Sequence, residues 1–111
     1  MKDDLVYIQH IRDAIDRILQ YTEEGKQSFF ADAKTQDAVI RNFQIIGEAS
    51  KRVSDTFKDS NPSLPWRQMA GTRDRIVHEY MVVSLKMVWD IVESELPDVR
   101  LTRESILRGW T

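Results

Sequence analysis

The chain has 111 residues, of which 41% are hydrophobic and 31% charged, and its formal net charge is −2. This length and composition are typical of one globular domain and exclude a disordered chain. The negative net charge excludes a protein that coats nucleic acid by overall positive charge. Because it has no cysteine and two histidines, we expect no disulfide, no metal and no other cofactor. No apolar run approaches the roughly 20 residues that span a bilayer, and the first residues lack the pattern of a signal peptide, so we expect a cytoplasmic protein without a membrane partner.

The first predicted helix begins near Leu5. Its apolar residues recur at spacings of three and four, the pattern of an amphipathic helix; they are Leu5, Ile8, Ile11, Ala14, Ile15, Ile18 and Leu19. Gly25 is a typical C-terminal stop, and residues 25–28 are predicted to form a connection. A short turn of helix is expected at Phe29 and Phe30.

A second long helix is predicted from about Thr35 to Phe57. Its apolar stripe consists of Val39, Phe43, Ile46, Ala49 or Ser50, Val53 and Phe57. Gly47 lies inside this helix, where it costs roughly 1 kcal/mol relative to alanine. A glycine in such a place indicates close backbone approach by a neighbouring helix or by a ligand.

Residues 59–65 carry turn residues at almost every position, so they are predicted to form a surface loop. Pro65 suits the first turn of a third helix, which extends through Trp66 to Tyr80. Gly71 is a candidate break in it.

Ser84 is a good N-cap for a fourth helix, and Pro97 is predicted to end it. The apolar residues that follow suggest one more helix towards the C-terminus. No segment has the pattern of a strand. The fold is therefore predicted to be all-α, a bundle of four main helices with one or two short extra helices.

The segment at residues 71–80 carries the residues best suited to chemistry. On a helix, Arg73 and Tyr80 fall on nearly the same line, and Asp74 and His78 form an i, i+4 pair. An imidazole oriented by a carboxylate is a usable general acid or base near neutral pH. A neighbouring guanidinium suits the oxygens of a phosphate and the charge that develops on them. Because RNA supplies its own 2′-hydroxyl as nucleophile, this set of side chains is adequate for metal-free cleavage of RNA.

The same residues also have a simpler interpretation. Arg73, Asp74 and His78 would then lie ion-paired and idle on a solvated helix face, and spacing alone favours this. Glu48, on the second helix, is either a partner of Arg73 or Arg75 or an ordinary surface glutamate. Asp74, Arg75 and Glu48 are therefore candidates for supporting roles.

Four ring-bearing residues outside the segment have alternatives of their own. His10 is expected at the surface or in an interface. Trp66, Trp89 and Trp110 are aromatic and could stack on bases. Helical spacing favours a core position for Trp66 and Trp89, whereas Trp110 is expected to be exposed or at an interface.

The string Arg73-x4-His78-x-Tyr80 resembles the RX4HXY signature of HepT-like toxins in the HEPN superfamily. Asp74 occupies the polar position that follows the arginine there, and Thr72 stands where a larger apolar residue is common. The resemblance extends from the first helix through the fourth. Its other landmarks are residues 36–41, 45–49, 65–66, 76–80 and 88–89.

This resemblance implies a single HEPN/HepT-like ribonuclease domain over residues 1–111. The implied fold is a HEPN-type bundle that forms a homodimer, with two signature helices facing each other across a cleft where RNA is cut without a metal. Arg73 would hold the scissile phosphate and stabilise the transition state, and His78 would act in proton transfer or phosphate binding.

The resemblance also implies a partner, a minimal nucleotidyltransferase antitoxin of the MntA type. Such an antitoxin uses ATP to attach AMP to the tyrosine of the signature, which is Tyr80 here. One alternative is a non-catalytic helical subunit that binds substrate or nucleotide for a minimal nucleotidyltransferase, and another is a purely structural helical dimer. The complete signature favours the ribonuclease, because a binding module has no need for Arg73 and His78 together.

Overall fold

The computed structural model describes residues 2–79 and 85–109. Over these ranges the chain forms helices and no strand: α1 (Lys2–Tyr21), α2 (Lys26–Ala31), α3 (Ala33–Arg52), α4 (Asp55–Ser60), α5 (Trp66–Glu79) and α6 (Leu85–Gly109). Four of these helices are long, while α2 and α4 have 6 residues each. The predicted all-α bundle of four main helices with short extra ones is therefore confirmed. None of the helices in these ranges is long and apolar enough to cross a membrane.

The centre of the bundle is the packing of α1 against α3. The face of α1 that the spacing predicts is buried from Ile8 onward, with Ile11, Ile15 and Ile18 removed from water, whereas Leu5 at the start of the predicted stripe is exposed. Val39 and Phe43 belong to the same core on the α3 side. The core is completed from α6 by Val88, Ile91 and Val92. Each such side chain contributes about 1.5–3 kcal/mol when fully buried, so this packing positions the other helices.

The structure shows that the predicted connection at residues 25–28 is wrong. Gly25, with a φ of 90°, is the N-cap of α2. Phe29 is fully buried, and its ring centroid lies 5.1 Å from that of Trp89. Burial of this ring holds the segment in a helix although its first residues carry no apolar pattern. The helical turn predicted at Phe29 and Phe30 is confirmed, but it starts earlier.

The long helix predicted to continue to Phe57 is in fact two helices. The backbone becomes extended at Val53 (ψ 137°) and Ser54 (ψ 153°). Ser54 caps α4, because its Oγ accepts a hydrogen bond from the Phe57 N–H at 3.1 Å. The Asp4 carboxylate of α1 accepts bonds from the Ser54 N–H at 2.8 Å and from the Ser54 hydroxyl at 2.7 Å. This distant acceptor satisfies an N–H that would otherwise continue α3, so the apolar stripe alone mispredicts the helix end.

α5 begins directly after Pro65, whose carbonyl accepts a hydrogen bond from the Met69 N–H at 3.0 Å. The preceding loop is shorter than predicted, because residues 59–60 complete α4. Leu64 within the loop is buried rather than at the surface. Gly71 lies on the exposed side of α5 and does not break it.

α6 continues through Pro97, so the prediction that this proline ends the helix is wrong. A proline costs a helix interior about 3 kcal/mol, because it lacks the N–H and crowds the preceding turn. Buried side chains anchor α6 on both sides of it, Val92 before and Thr102 after, and their packing offsets that cost. The helix predicted near the C-terminus is the second half of α6. Ser84, the predicted N-cap, lies outside the described residues.

α3 and α5 approach each other closely at Gly47. A Cβ built on Gly47 would lie 1.9 Å from the Arg73 Cβ, 2.7 Å from the Arg73 Cγ and 2.9 Å from the Met69 carbonyl oxygen. No side chain fits in that space, so the approach of a neighbouring helix predicted from this glycine is confirmed. Arg73 is thereby held against α3 by its own stem.

Replacing Gly47 by alanine should destabilise the protein, although alanine is the better helix former. The added methyl group favours the helix by about 1 kcal/mol, but it must push Arg73 and α5 away, and overpacking of this kind typically costs 1–3 kcal/mol or more. The clashing atom is a Cβ, which cannot move without its backbone. We therefore expect a net loss of about 2 kcal/mol and a Tm lower by about 10 °C.

Gly71→Ala is the matched control, because no atom lies within 4 Å of a Cβ built there. It should raise the free energy of unfolding by up to about 1 kcal/mol. Thermal and urea denaturation followed by circular dichroism measure both variants. An unchanged Tm for Gly47→Ala would contradict the close approach of the two helices.

The bonds between Asp4 and Ser54 should make stability depend on pH. The Ser54 N–H, followed by the Ser54 hydroxyl, holds the pKa of Asp4 below its usual value. The stability that such a carboxylate contributes is fully present above its unfolded pKa, about 3.9, and is lost as the pH falls through the lower folded pKa. Asp4→Asn should therefore lower the free energy of unfolding at neutral pH, and its difference from wild type should shrink below about pH 4.

Urea denaturation over this pH range measures the effect. The control is Asp3→Asn, a substitution of the exposed neighbouring residue. If the difference in free energy of unfolding between wild type and Asp4→Asn did not change with pH, the ionised form of Asp4 would not be what stabilises the fold.

Candidate active site

α5 divides the predicted signature between the core and an edge of the bundle. Thr72 and Ile76, one helical turn apart, are buried on its inner face. Arg73 and Asp74 are half-buried beside α3, and Arg75 is exposed. The polar residues therefore lie along the seam between α3 and α5, which we call the α3–α5 seam.

Arg73 is positioned mainly by its aliphatic stem, which lies against Gly47. One terminal nitrogen donates a hydrogen bond to Asp74 Oδ1 at 3.2 Å, and the side chain is 27% exposed. The Nε of Arg73 is buried and has no acceptor among the residues that the structure describes. A buried donor without an acceptor is costly, whereas the side chain as a whole is 27% exposed, so an incoming anionic oxygen meets the rest of the guanidinium rather than Nε.

Asp74 is held between two cations. Lys51 of α3 bonds to the same carboxylate oxygen that Arg73 contacts. The ammonium of Lys51 and then the guanidinium of Arg73 keep the pKa of Asp74 below its usual value. The carboxylate is therefore ionised at neutral pH, and it orients Arg73. Both side chains of the Lys51–Asp74 pair are 42% exposed, so solvent screens the pair and it adds little to stability.

Lys51 was missed by the sequence reasoning. It lies one turn after Gly47 on α3, so it points to the same side as the glycine that receives Arg73. A lysine one turn beyond a predicted close approach is a signal that could have identified it.

Glu48 does not lie at the seam. It lines a groove on the α1 side of α3, together with His10, and no ion pair joins it to Arg73 or Arg75 within the described part of the chain. Of the two interpretations, this position favours an ordinary surface glutamate, because Glu48 follows Gly47 by one residue and therefore points about 100° away from it. Arg75 has no ion-pair partner among the described side chains.

Two residues of the signature cannot be placed in the same way. The backbone of His78 belongs to α5, one turn after Asp74, but its side chain is outside what the structure describes, and so is all of Tyr80. The pairing of Asp74 with His78 and the alignment of Arg73 with Tyr80 stay predictions.

Thr72, the departure from the family pattern, has a structural role. Its hydroxyl donates a hydrogen bond to Glu95 Oε1 of α6 at 2.6 Å. Both residues, with the buried Thr102, line a small internal cavity of about 20 Å³. A hydroxyl at position 72 thus ties α5 to α6 through a buried polar contact. The sequence carries no signal for this, because the partners are 23 residues apart.

Two of the tryptophans are structural, as predicted. Trp89 is 6% exposed, and its Nε1 donates to Glu93 Oε1 at 2.7 Å. Trp66 is half-buried and meets Phe57 edge to face, with ring centroids 6.2 Å apart. Trp110 lies outside the described residues.

Among the described residues of the seam, two cations, Arg73 and Lys51, contact one carboxylate, Asp74. Within the described ranges, no group of three or more His, Cys, Asp or Glu side chains is arranged to hold a metal ion. A guanidinium can bind two oxygens of one phosphate, and an ammonium nearby adds positive charge. Such an arrangement can stabilise negative charge that develops on phosphate oxygens during cleavage.

Comparisons with known proteins agree with one family. The family model described as "Ribonuclease HepT-like" matches residues 11–106. A "Probable ribonuclease HepT" of Thermococcus cleftensis is 41% identical over 95 residues, which are 85% of this chain and 86% of that protein. A putative RNase of Methanocaldococcus jannaschii is 35% identical over 107 residues, 95% of this chain and 88% of that protein. A putative RNase of Caldanaerobacter subterraneus is 28% identical over 109 residues, 97% of each. No solved structure matches the chain.

The family match extends from α1 to α6 and includes the whole of α3 and α5, the two helices that form the seam. The relatives align over most of their own length, so the likeness is one of whole domains. Together with the helical bundle, these findings show that the chain belongs to the HepT-like ribonuclease family of the HEPN superfamily.

Proposed function

We propose that the protein is an endoribonuclease that cleaves RNA without a metal ion or other cofactor. The observation that carries the proposal is the state of Arg73. Its stem is held by Gly47, one terminal nitrogen contacts Asp74, and the side chain is 27% exposed. A non-bridging oxygen of a phosphodiester is a suitable acceptor for a guanidinium held in this way. The names of the relatives, probable and putative ribonucleases, support the same activity.

In the proposed reaction the 2′-hydroxyl oxygen forms a bond to the adjacent phosphorus, and the bond from phosphorus to the 5′-oxygen of the next nucleotide breaks. The 2′-hydroxyl loses a proton and the departing 5′-oxygen gains one, and His78 serves in this proton transfer. Arg73 stabilises the negative charge on the non-bridging oxygens. The products are a 2′,3′-cyclic phosphate and a 5′-hydroxyl.

The other seam residues support these two. Asp74 is a positioning residue, because it contacts Arg73, and Lys51 keeps its carboxylate in place. Arg75 is exposed and without an ion-pair partner among the described residues, so it is available to the RNA backbone.

The proposed active form is a homodimer with the two seams facing a common cleft. One seam offers only a few cations to a polynucleotide. Two copies related by a two-fold axis double the local positive charge, although each chain carries a net charge of −2.

Arg73→Ala and His78→Ala should each reduce RNA cleavage by at least about 100-fold, because the first removes transition-state stabilisation and the second removes proton transfer. Cleavage of a labelled RNA under single-turnover conditions measures the rates. Arg100→Ala, which removes an exposed arginine of α6, is the control and should cleave like wild type.

Three further readouts test the chemistry of the same reaction. Cleavage should persist in EDTA, the 5′ fragment should end in a cyclic phosphate, and a single 2′-deoxy nucleotide at the cut site should block the reaction. Equal cleavage by a folded Arg73→Ala or His78→Ala variant, or cutting at the deoxy position, would show that the assignment is wrong.

The proposal extends to control of the activity. The protein would be the cytoplasmic toxin of a type VII toxin–antitoxin pair, neutralised when an MntA-type nucleotidyltransferase transfers AMP from ATP to the phenol oxygen of Tyr80, with release of pyrophosphate. Each AMP would add bulk and a negative phosphate seven residues after Arg73 in the chain. It would therefore fill space that RNA needs and pair with guanidinium groups that would hold the RNA backbone.

Treatment with an MntA-type nucleotidyltransferase and ATP should abolish RNA cleavage, while the protein stays folded and dimeric. Peptide mass spectrometry should find the added AMP mass on Tyr80, and sedimentation should report twice the chain mass. Tyr80→Phe is the control, and it should stay active after treatment. AMP on a different residue, or inactivation of the Phe variant, would mean that Tyr80 is not the switch.

A further inference from the structure

A second charged surface lies in a groove between α1 and α3, at the outer edge of their packing. The groove has a volume of about 390 Å³, within the range of ligand sites in proteins. Its polar and aromatic lining consists of Tyr7, His10, Asp13, Arg17, Arg41, Glu48 and Arg52. The function proposed above uses none of these side chains, and we call this surface the α1–α3 groove.

The groove is locally positive in a chain that is negative overall. Arg17, Arg41 and Arg52 are exposed, and none has an ion-pair partner among the described residues. Of the two carboxylates, Asp13 already pairs with Arg12 at 3.4 Å. The arginines therefore remain available to an anionic ligand.

The cations stand at both ends of the groove. α1 and α3 run antiparallel, because Asp4 near the start of α1 bonds to Ser54 just after the end of α3. Arg41 and Arg52 are 11 positions apart on α3, which corresponds to about 16 Å along the helix. Arg17 lies at the Arg41 end. A ligand that engages both ends is thus longer than one phosphate group.

An aromatic surface stands at the Arg52 end. Tyr7 is half-buried and packs against the core, and its ring meets that of His10 edge to face with centroids 6.3 Å apart. Because the ring of Tyr7 is already held in place, a base that stacks on it costs little side-chain entropy.

We propose that the α1–α3 groove binds the single-stranded stretch of RNA that flanks the scissile phosphate, an inference that rests on the proposed ribonuclease function. The arginines at its two ends bind separate, non-adjacent phosphates of the strand. A base stacks at Tyr7 and His10, and the carboxylate of Glu48 accepts hydrogen bonds from base amino groups.

The position of the groove fits a strand that continues from the α3–α5 seam. Lys51 faces the seam, where it bonds to Asp74, and the next residue, Arg52, lines the groove. A strand leaving Arg73 therefore crosses the exposed face of α3 from one cation to the next. The apolar walls of the groove are limited to Ile45 and Ala49, less than a protein partner needs for a stable interface.

The test is binding of a fluorescent single-stranded RNA that carries 2′-O-methyl groups throughout, so that the blocked nucleophile prevents cleavage. The variant is Arg41→Gln/Arg52→Gln, which removes two charges but keeps a polar side chain at each position. Arg100→Gln is the matched control on α6. Fluorescence anisotropy is measured at several salt concentrations.

The double variant should bind at least tenfold more weakly, and its slope of log Kd against log salt should fall by about 0.7 for each lost phosphate contact. Arg100→Gln should match wild type in both. With unmodified RNA, the double variant should raise KM by more than it lowers kcat. If it binds RNA with the affinity and salt slope of Arg100→Gln, the proposal is wrong.

Two other outcomes also overturn it. If free AMP or ATP binds the groove as tightly as the RNA does, the ligand is a single nucleotide. If the double variant still binds RNA but sediments with a smaller mass than wild type, the groove is an interface between copies of the chain. The ribonuclease proposal can fail separately. If the wild-type protein cleaves no RNA but the double variant loses RNA binding as described, the groove is an RNA-binding surface of a protein that is not a ribonuclease.

Discussion

Where α3 meets α5, the backbone of Gly47 lies against the Cβ and Cγ of Arg73, and no other residue type fits. This contact sets the distance between the two helices and fixes the stem of the arginine at the same time. It also brings Lys51, one turn along α3, within reach of Asp74. The seam therefore does not depend on the strength of its ion pairs, which are partly exposed. It depends on the steric fit between the backbone of Gly47 and the stem of Arg73, which requires a glycine at position 47.

Much of the fold is predictable because amphipathic spacing is a local property. Apart from the exposed Leu5, the stripe of α1 packs into the core as its periodicity predicts, and Gly47 marks a close approach that the structure confirms. The polar edge of α5 could also be predicted, since Arg73 and Asp74 lie there while Ile76 goes to the core. Family resemblance gave their expected roles, which the geometry of the seam supports but does not test.

The errors share a physical cause, which is that distant groups override local patterns. Ser54 ends α3 because Asp4, 50 residues earlier, takes its N–H. α6 runs through Pro97 because packing on both sides outweighs the cost of a proline in a helix. For Glu48 the sequence left two interpretations open, because proximity in sequence to Gly47 is not proximity in space: one residue along a helix changes direction by about 100°.

The ion pairs around Asp74 have a consequence for what the seam admits. In the free protein the carboxylate already pairs with Lys51 and with one nitrogen of Arg73. An incoming anion therefore competes with Asp74 for these two cations. Such an exchange favours a group that offers several oxygens at once, as a phosphodiester does, over chloride or a lone surface carboxylate. Asp74 thus acts as an internal competitor, and the seam gains selectivity against the weak anions that surround it in a cell.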